Sequence, residues 1–95
     1  MITCTDKIET SESDITDVIE QIDPTDQPKL FTYLHCLYEE NEAFDKPGGL
    51  EVLRRWRAEQ GKAATRNTLI RALKKTNAKV GKDVAEQWRG MFYIL

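Results

Sequence analysis

Between Gly49 and Glu86 three apolar stripes of helical period follow one another, separated by joints of a few residues. Leu50, Leu53 and Trp56 recur three residues apart and stop at Gly61, a residue that tolerates the positive φ of a helix C-terminus. Thr65 offers an N-cap hydroxyl to a second segment, whose stripe is Leu69, Ala72 and Leu73. Asn77 and Gly81 punctuate the chain again, and Val80, Val84 and Trp88 then repeat at every fourth position. Helices this short are marginal alone, and each carries a stripe that water disfavours. They must therefore pack on one another and on the first half of the chain.

The first half supplies two more stripes. Ser13 or Asp14 can cap a helix in which Ile15, Val18, Ile19 and Ile22 share a face, and Asp23 before Pro24 ends it. Asp26 is placed to cap the next helix, with Pro28 in its first turn, where a missing N–H costs nothing. That helix is predicted to run from Pro28 to about Asn41, with Leu30, Phe31, Leu34, Leu37 and Tyr38 on one side. The run Asp45-Lys46-Pro47-Gly48-Gly49 turns the chain, and Phe44 is expected to plug the core from that connection. In the last helix Met91, Phe92 and Leu95 extend the stripe, while Gly90 weakens it by about 1 kcal/mol relative to alanine.

The expected fold is all-α, an antiparallel bundle of five to six short helices. Ninety-five residues suffice for one modest core and no more. Residues 1–13 read as a flexible acidic tail and residues 14–95 as a single domain. Its core is expected to contain Ile15, Ile19, Ile22, Leu30, Leu34, Leu37, Leu53, Trp56, Leu69, Leu73, Val84 and Trp88.

Catalysis finds little in this chain to work with. His35 and Cys36 are adjacent, and helical neighbours point about 100° apart, so they do not make a nucleophile–base pair. Glycine-rich phosphate loops, HExxH and calcium-loop patterns are all missing, and no metal or cofactor is expected. Cys4 and Cys36 lack metal-ligand spacing and read as two free thiols of a reducing compartment. No apolar run reaches membrane-spanning length, and MITCTDKIETSESD is polar rather than a signal peptide, which gives a cytoplasmic expectation. Trp56 and Trp88 read as core rather than as the walls of a ligand pocket.

Charge is the remaining chemistry. Residues 1–49 hold twelve acids against three bases, a net −9, and residues 50–95 hold eleven bases against four acids, a net +7. The formal −2 conceals this division, which bears on partners before it bears on fold. Arg54, Arg55, Arg57, Arg66, Arg71, Lys74 and Lys75 form the candidate basic face. Glu51 offers Arg55 an i,i+4 partner, whereas Arg54 and Arg57 have no such partner. Arg71, Lys74 and Lys75 repel one another at i, i+3 and i+4, so the charge is either compensated within the domain or used on a partner. Asp14, Asp17, Glu20 and Asp23, opposite the isoleucines, form the candidate acidic face together with Glu39, Glu40 and Glu42. The last three are expected to close the second helix, where the macrodipole disfavours them. Opposed faces suit head-to-tail contact between similar domains. Nucleic acid is the competing reading of the basic half, opposed by the acidic half and by the lack of aromatics among the exposed bases.

LRRWRAEQGKAAT, with Trp56, Gly61 and the pair Ala64-Thr65, followed by Leu69, Ala72-Leu73 and Asp83-Val84-Ala85-Glu86, resembles the last three helices of a death domain. The resemblance covers residues 49–86. It implies a non-catalytic module that assembles with other death-domain proteins, itself included, in apoptotic or innate-immune signalling. Before Gly49 the sequence departs from the family, whose first helix usually carries a tryptophan and a leucine-glycine pattern. Either one of six helices has shrunk to a single turn near Glu40–Asp45, or the N-terminal half leaves the family's fold.

Overall fold

Among the described residues five α-helices form where the stripes demand them. A computed structural model describes residues 8–93, and the side chains of residues 8–89. The helices are α1 (Glu12–Gln21), α2 (Gln27–Tyr33), α3 (Lys46–Gln60), α4 (Arg66–Thr76) and α5 (Ala78–Tyr93). Single 3-10 turns at Pro24–Asp26, Glu40–Glu42 and Gly61–Ala63 join them. The molecule is an all-α helical bundle. Among the described residues no strand forms, only an isolated antiparallel bridge between Glu9 and Thr65.

The stripes meet in one core. Ile15, Val18, Leu30, Phe31, Leu53, Leu69, Leu73 and Val84 are fully buried, with Ile19, Ile22, Leu34, Trp56 and Trp88 nearly so. Val52 and Ile70 join them, although neither lies on the stripe read from the sequence. α4 packs chiefly on α5, α1 on α3, and α2 on α4. Asn77 alone separates α4 from α5, and its side-chain oxygen accepts from the backbone N–H groups of Lys79 and Val80 at 3.2 and 3.3 Å.

Most helix limits follow the residues that cap them. Gly61 has φ 55° after α3, and Thr65 Oγ1 accepts from the Thr68 N–H at 3.2 Å before α4. α1 begins earlier than expected, because Ser11 rather than Ser13 or Asp14 is its cap. Ser11 Oγ accepts from Asp14 N, and Asp14 Oδ2 accepts from Ser11 N, a reciprocal capping box. Asp26 makes no capping bond to α2. Asp23 serves the preceding turn instead, accepting from Thr25 N at 2.9 Å and from its hydroxyl at 2.7 Å.

The largest departure is α2, which stops at Tyr33 rather than near Asn41. His35 takes φ 59°, its N–H donates to Thr32 O (3.1 Å), and Cys36 N–H donates to Phe31 O (2.9 Å). This pair of bonds is a Schellman termination with histidine in the left-handed position that glycine usually fills. Two expected core residues are therefore displaced. Leu37 is 83% exposed and Phe44, at φ 67°, is 56% exposed, with Ala43 buried in its place.

Residues 8–13, read as part of a loose tail, are pinned. Thr10 N and Oγ1 both donate to Ala64 O (2.8 and 2.9 Å), and Arg66 N donates to Ile8 O at 2.8 Å. The rest of that segment, residues 1–7 with Cys4, lies outside the described residues, as do Leu95 and the side chains of Met91 and Phe92.

Gly81 belongs to α5 rather than to a turn, and its reason is close helix approach. A Cβ there would fall 2.7 Å from Lys74 N and 2.8 Å from Lys74 Cα. Gly81→Ala should therefore destabilise the domain by about 1 kcal/mol, overpacking outweighing the gain in helix propensity. A thermal melt followed by circular dichroism checks the sign.

Candidate protein-interaction surface

The domain's own acids answer four of the seven candidate cations. Arg66 stands in the first turn of α4, where a positive charge opposes the helix dipole. It is tolerated because Asp14, at the N-terminus of α1, lies beside it. Arg66 Nε donates to Asp14 Oδ2 (2.8 Å) and Nη2 to Oδ1 (3.0 Å), and the guanidinium lies 5.0 Å from the centroid of the Trp88 ring. Both side chains are largely out of water, at 12% and 3% exposure. Asp14 and Arg66, expected on opposite exposed faces, are instead one largely buried pair that joins α1 to α4 beside Trp88 of α5.

On α3 the expected pairing of Arg55 with Glu51 gives way to a stronger one. Arg55 forks onto Glu42, with Nη1 and Nη2 donating at 2.7 and 2.8 Å. Two parallel bonds in the guanidinium plane surpass a helical i,i+4 pair. The arginine holds the Glu42 carboxyl down at about 2, helped by its bond with Glu39, and Glu42 raises Arg55 in return. Arg54 and Arg57, which have no acid at i,i+4, converge on Glu12 of α1; Arg54 also reaches Glu51, one turn back at i,i+3, at 3.5 Å. Lys46 meets Glu20 at 3.4 Å. Glu12 was not a candidate site residue, since a contact 42 residues apart leaves no local signature in a sequence.

The Glu42 pairing has a pH consequence. Its folded-state value lies below the ordinary glutamate value of 4.5, so its stabilisation is present above pH 4.5 and lost as pH falls toward 2. Glu42→Gln should flatten that part of an acid unfolding curve, measured by circular dichroism.

Arg71, Lys74 and Lys75 are different. All three are exposed on α4, and among the described residues none has a carboxylate within 4.0 Å. Lys75 Nζ instead sits 5.8 Å from the centroid of the Tyr33 ring, at the rim of a shallow recess of about 140 Å³ formed by Tyr33, Thr68, Arg71, Ala72 and Lys75. These cations repel one another without compensation, and the surface is open.

Compared with models of known families, with curated protein sequences and with solved structures, the chain matches none.

The acids divide in the same way. Asp14 is buried, Glu20 and Glu42 are paired, Asp23 caps a turn, and Asp17 is half-buried. Glu39 and Glu40 remain exposed, on the 3-10 turn rather than at a helix end, so the macrodipole plays no part in their placement. No group of three or more histidine, cysteine, aspartate and glutamate side chains is arranged to hold a metal among the described residues. His35 and Cys36 lie in the loop after α2; burial, foremost, and the Glu59 charge push the Cys36 thiol up to about 12. A thiol so raised is a poor nucleophile at neutral pH. No helix among the described residues is long and apolar enough to cross a membrane.

Proposed function

We propose that this chain is a non-catalytic protein-interaction module of the death-domain type, which assembles with other death domains in apoptotic or innate-immune signalling. The observation carrying the proposal is the uncompensated trio Arg71, Lys74 and Lys75 in a domain that neutralises its other candidate arginines internally. Exposed like charges that the fold leaves unanswered speed encounter with an acidic partner and set its register. The resemblance over residues 49–86 gives the class of partner, and the single turn at Glu40–Glu42 is compatible with one of the two alternatives for the N-terminal half, a helix shortened to one turn. The absence of a catalytic constellation in the sequence supports a binding role.

Purified chain should be sized by light scattering with a panel of purified death domains at low and high salt. Association is expected with at least one of them, weakened by salt. Reversing Arg71, Lys74 and Lys75 together to glutamate should abolish it while leaving the circular dichroism spectrum unchanged, and intact binding in that variant would refute the basic-face assignment. A gel shift on duplex DNA at low salt tests the competing reading. Internal pairing removes four of seven candidate cations from any phosphate contact, so no shift is expected.

A further inference from the structure

The early stop of α2 leaves Leu37 the most exposed large apolar side chain among the described residues, at 83%. A lone exposed leucine needs no explanation. This one is held in place. The Schellman bonds fix the chain before it, and the Tyr38 ring packs 5.2 Å from that of Phe31 immediately after it. Arg55 Nη2 donates to the Leu37 carbonyl at 3.4 Å while its guanidinium grips Glu42. A side chain presented by a backbone already ordered binds with little further entropy loss. Glu39 and Glu40 flank it, exposed and without a cation within 4.0 Å among the described residues.

The recess on α2 and α4 has complementary features. Tyr33, Thr68, Arg71, Ala72 and Lys75 line it, so an aromatic ring and a methyl group stand beside two cations. At about 140 Å³ it exceeds the roughly 30 Å³ share of one water and offers space for an aliphatic side chain. Tyr33 is 41% exposed there, an apolar surface bordered by uncompensated positive charge.

We infer that the recess receives Leu37 of a second copy of this chain, with Glu39 and Glu40 of that copy meeting Arg71 and Lys75. A knob bordered by acids enters a hole bordered by bases. Knob and hole are made of different residues, so each copy carries both halves of the contact. It deepens the proposed function and rests on it for the role of the α4 cations, but its partner is the chain itself. Association is expected to be weak and salt-sensitive, since the contact is small.

Sedimentation or light scattering of the whole chain over a range of concentrations decides the matter. Wild type should self-associate at low salt, and Leu37→Ser should lose that association with its fold intact. Glu39→Lys/Glu40→Lys and Arg71→Glu/Lys75→Glu should each be monomeric, because each sets like charges against like. Mixed one to one, the two variants should associate, since every knob then finds an oppositely charged hole. A wild type that stays monomeric at every concentration overturns the inference, as does a mixture that fails to assemble. Either failure leaves the death-domain reading standing if the Arg71, Lys74, Lys75 reversal still abolishes binding to another death domain.

Discussion

Asp14→Ala should lower the stability of this domain by about 3–5 kcal/mol, the cost of leaving a buried charge without its partner. At 4–8 °C per kcal/mol for a domain of this size, the melting temperature should fall by at least about 12 °C. The magnitude follows from what converges on one carboxylate. Asp14 closes the capping box with Ser11 and holds Arg66 through two bonds at 2% residue exposure. Loss of its half of the capping box accounts for about 1 kcal/mol, and Ser11→Ala, which removes the other half, gauges the size of such a bond. The remainder is the stranded guanidinium, which Asp14→Ala/Arg66→Met removes. The double variant should regain more than half of the loss, because an apolar pair of similar bulk is often as stable as a buried ion pair. If Asp14→Ala alone costs less than 1 kcal/mol, the pair is not holding α1 to α4.

That pair also marks the limit of what the sequence discloses. Periodicity reports which face of a helix is apolar, and it located the cores of α3, α4 and α5 because their stripes are regular and their ends carry Gly61, Thr65 and Asn77. It says nothing of which helix lies opposite. Asp14 sits one position before the first isoleucine of α1, so its charge suggested exposure; only the arrival of Arg66 from 52 residues away makes burial tolerable. The same blindness hid Glu12 from Arg54 and Arg57.

The end of α2 was concealed for a different reason. Leu34, Leu37 and Tyr38 continue the helical period, and no glycine or proline interrupts them. Histidine adopts the left-handed conformation several-fold more often than most residues, though less readily than glycine, so His35 gave only a weak stop signal. Once the chain turns there, Leu37 passes from the stripe into solvent and the glutamates leave the helix for a 3-10 turn. The shared face of Arg71, Lys74 and Lys75, by contrast, was legible from its i, i+3, i+4 spacing opposite Leu69 and Leu73; whether acids from other helices answer it was not.

Trp88→Ala should cost about 3–5 kcal/mol, as large aromatic truncations in a core do when the surroundings cannot collapse. The indole is 1% exposed, among the largest fully buried side chains, and the Arg66 guanidinium lies over it. Deleting it therefore opens a cavity and withdraws the surface on which the Asp14–Arg66 pair rests, so the loss should exceed the apolar transfer term. Trp88→Phe discriminates between volume and polarity. The indole Nε1 has no hydrogen-bond acceptor among the described residues, so phenylalanine forfeits no bond made there. It keeps a ring for Arg66 and leaves a smaller void, and should cost about 1–2 kcal/mol. Denaturant unfolding followed by the fluorescence of the remaining Trp56, 4% exposed in wild type, measures both variants. A Trp88→Phe variant as unstable as Trp88→Ala would mean that the indole N–H has an essential acceptor, and that the packing of α5 against the Asp14–Arg66 pair does not account for the tryptophan.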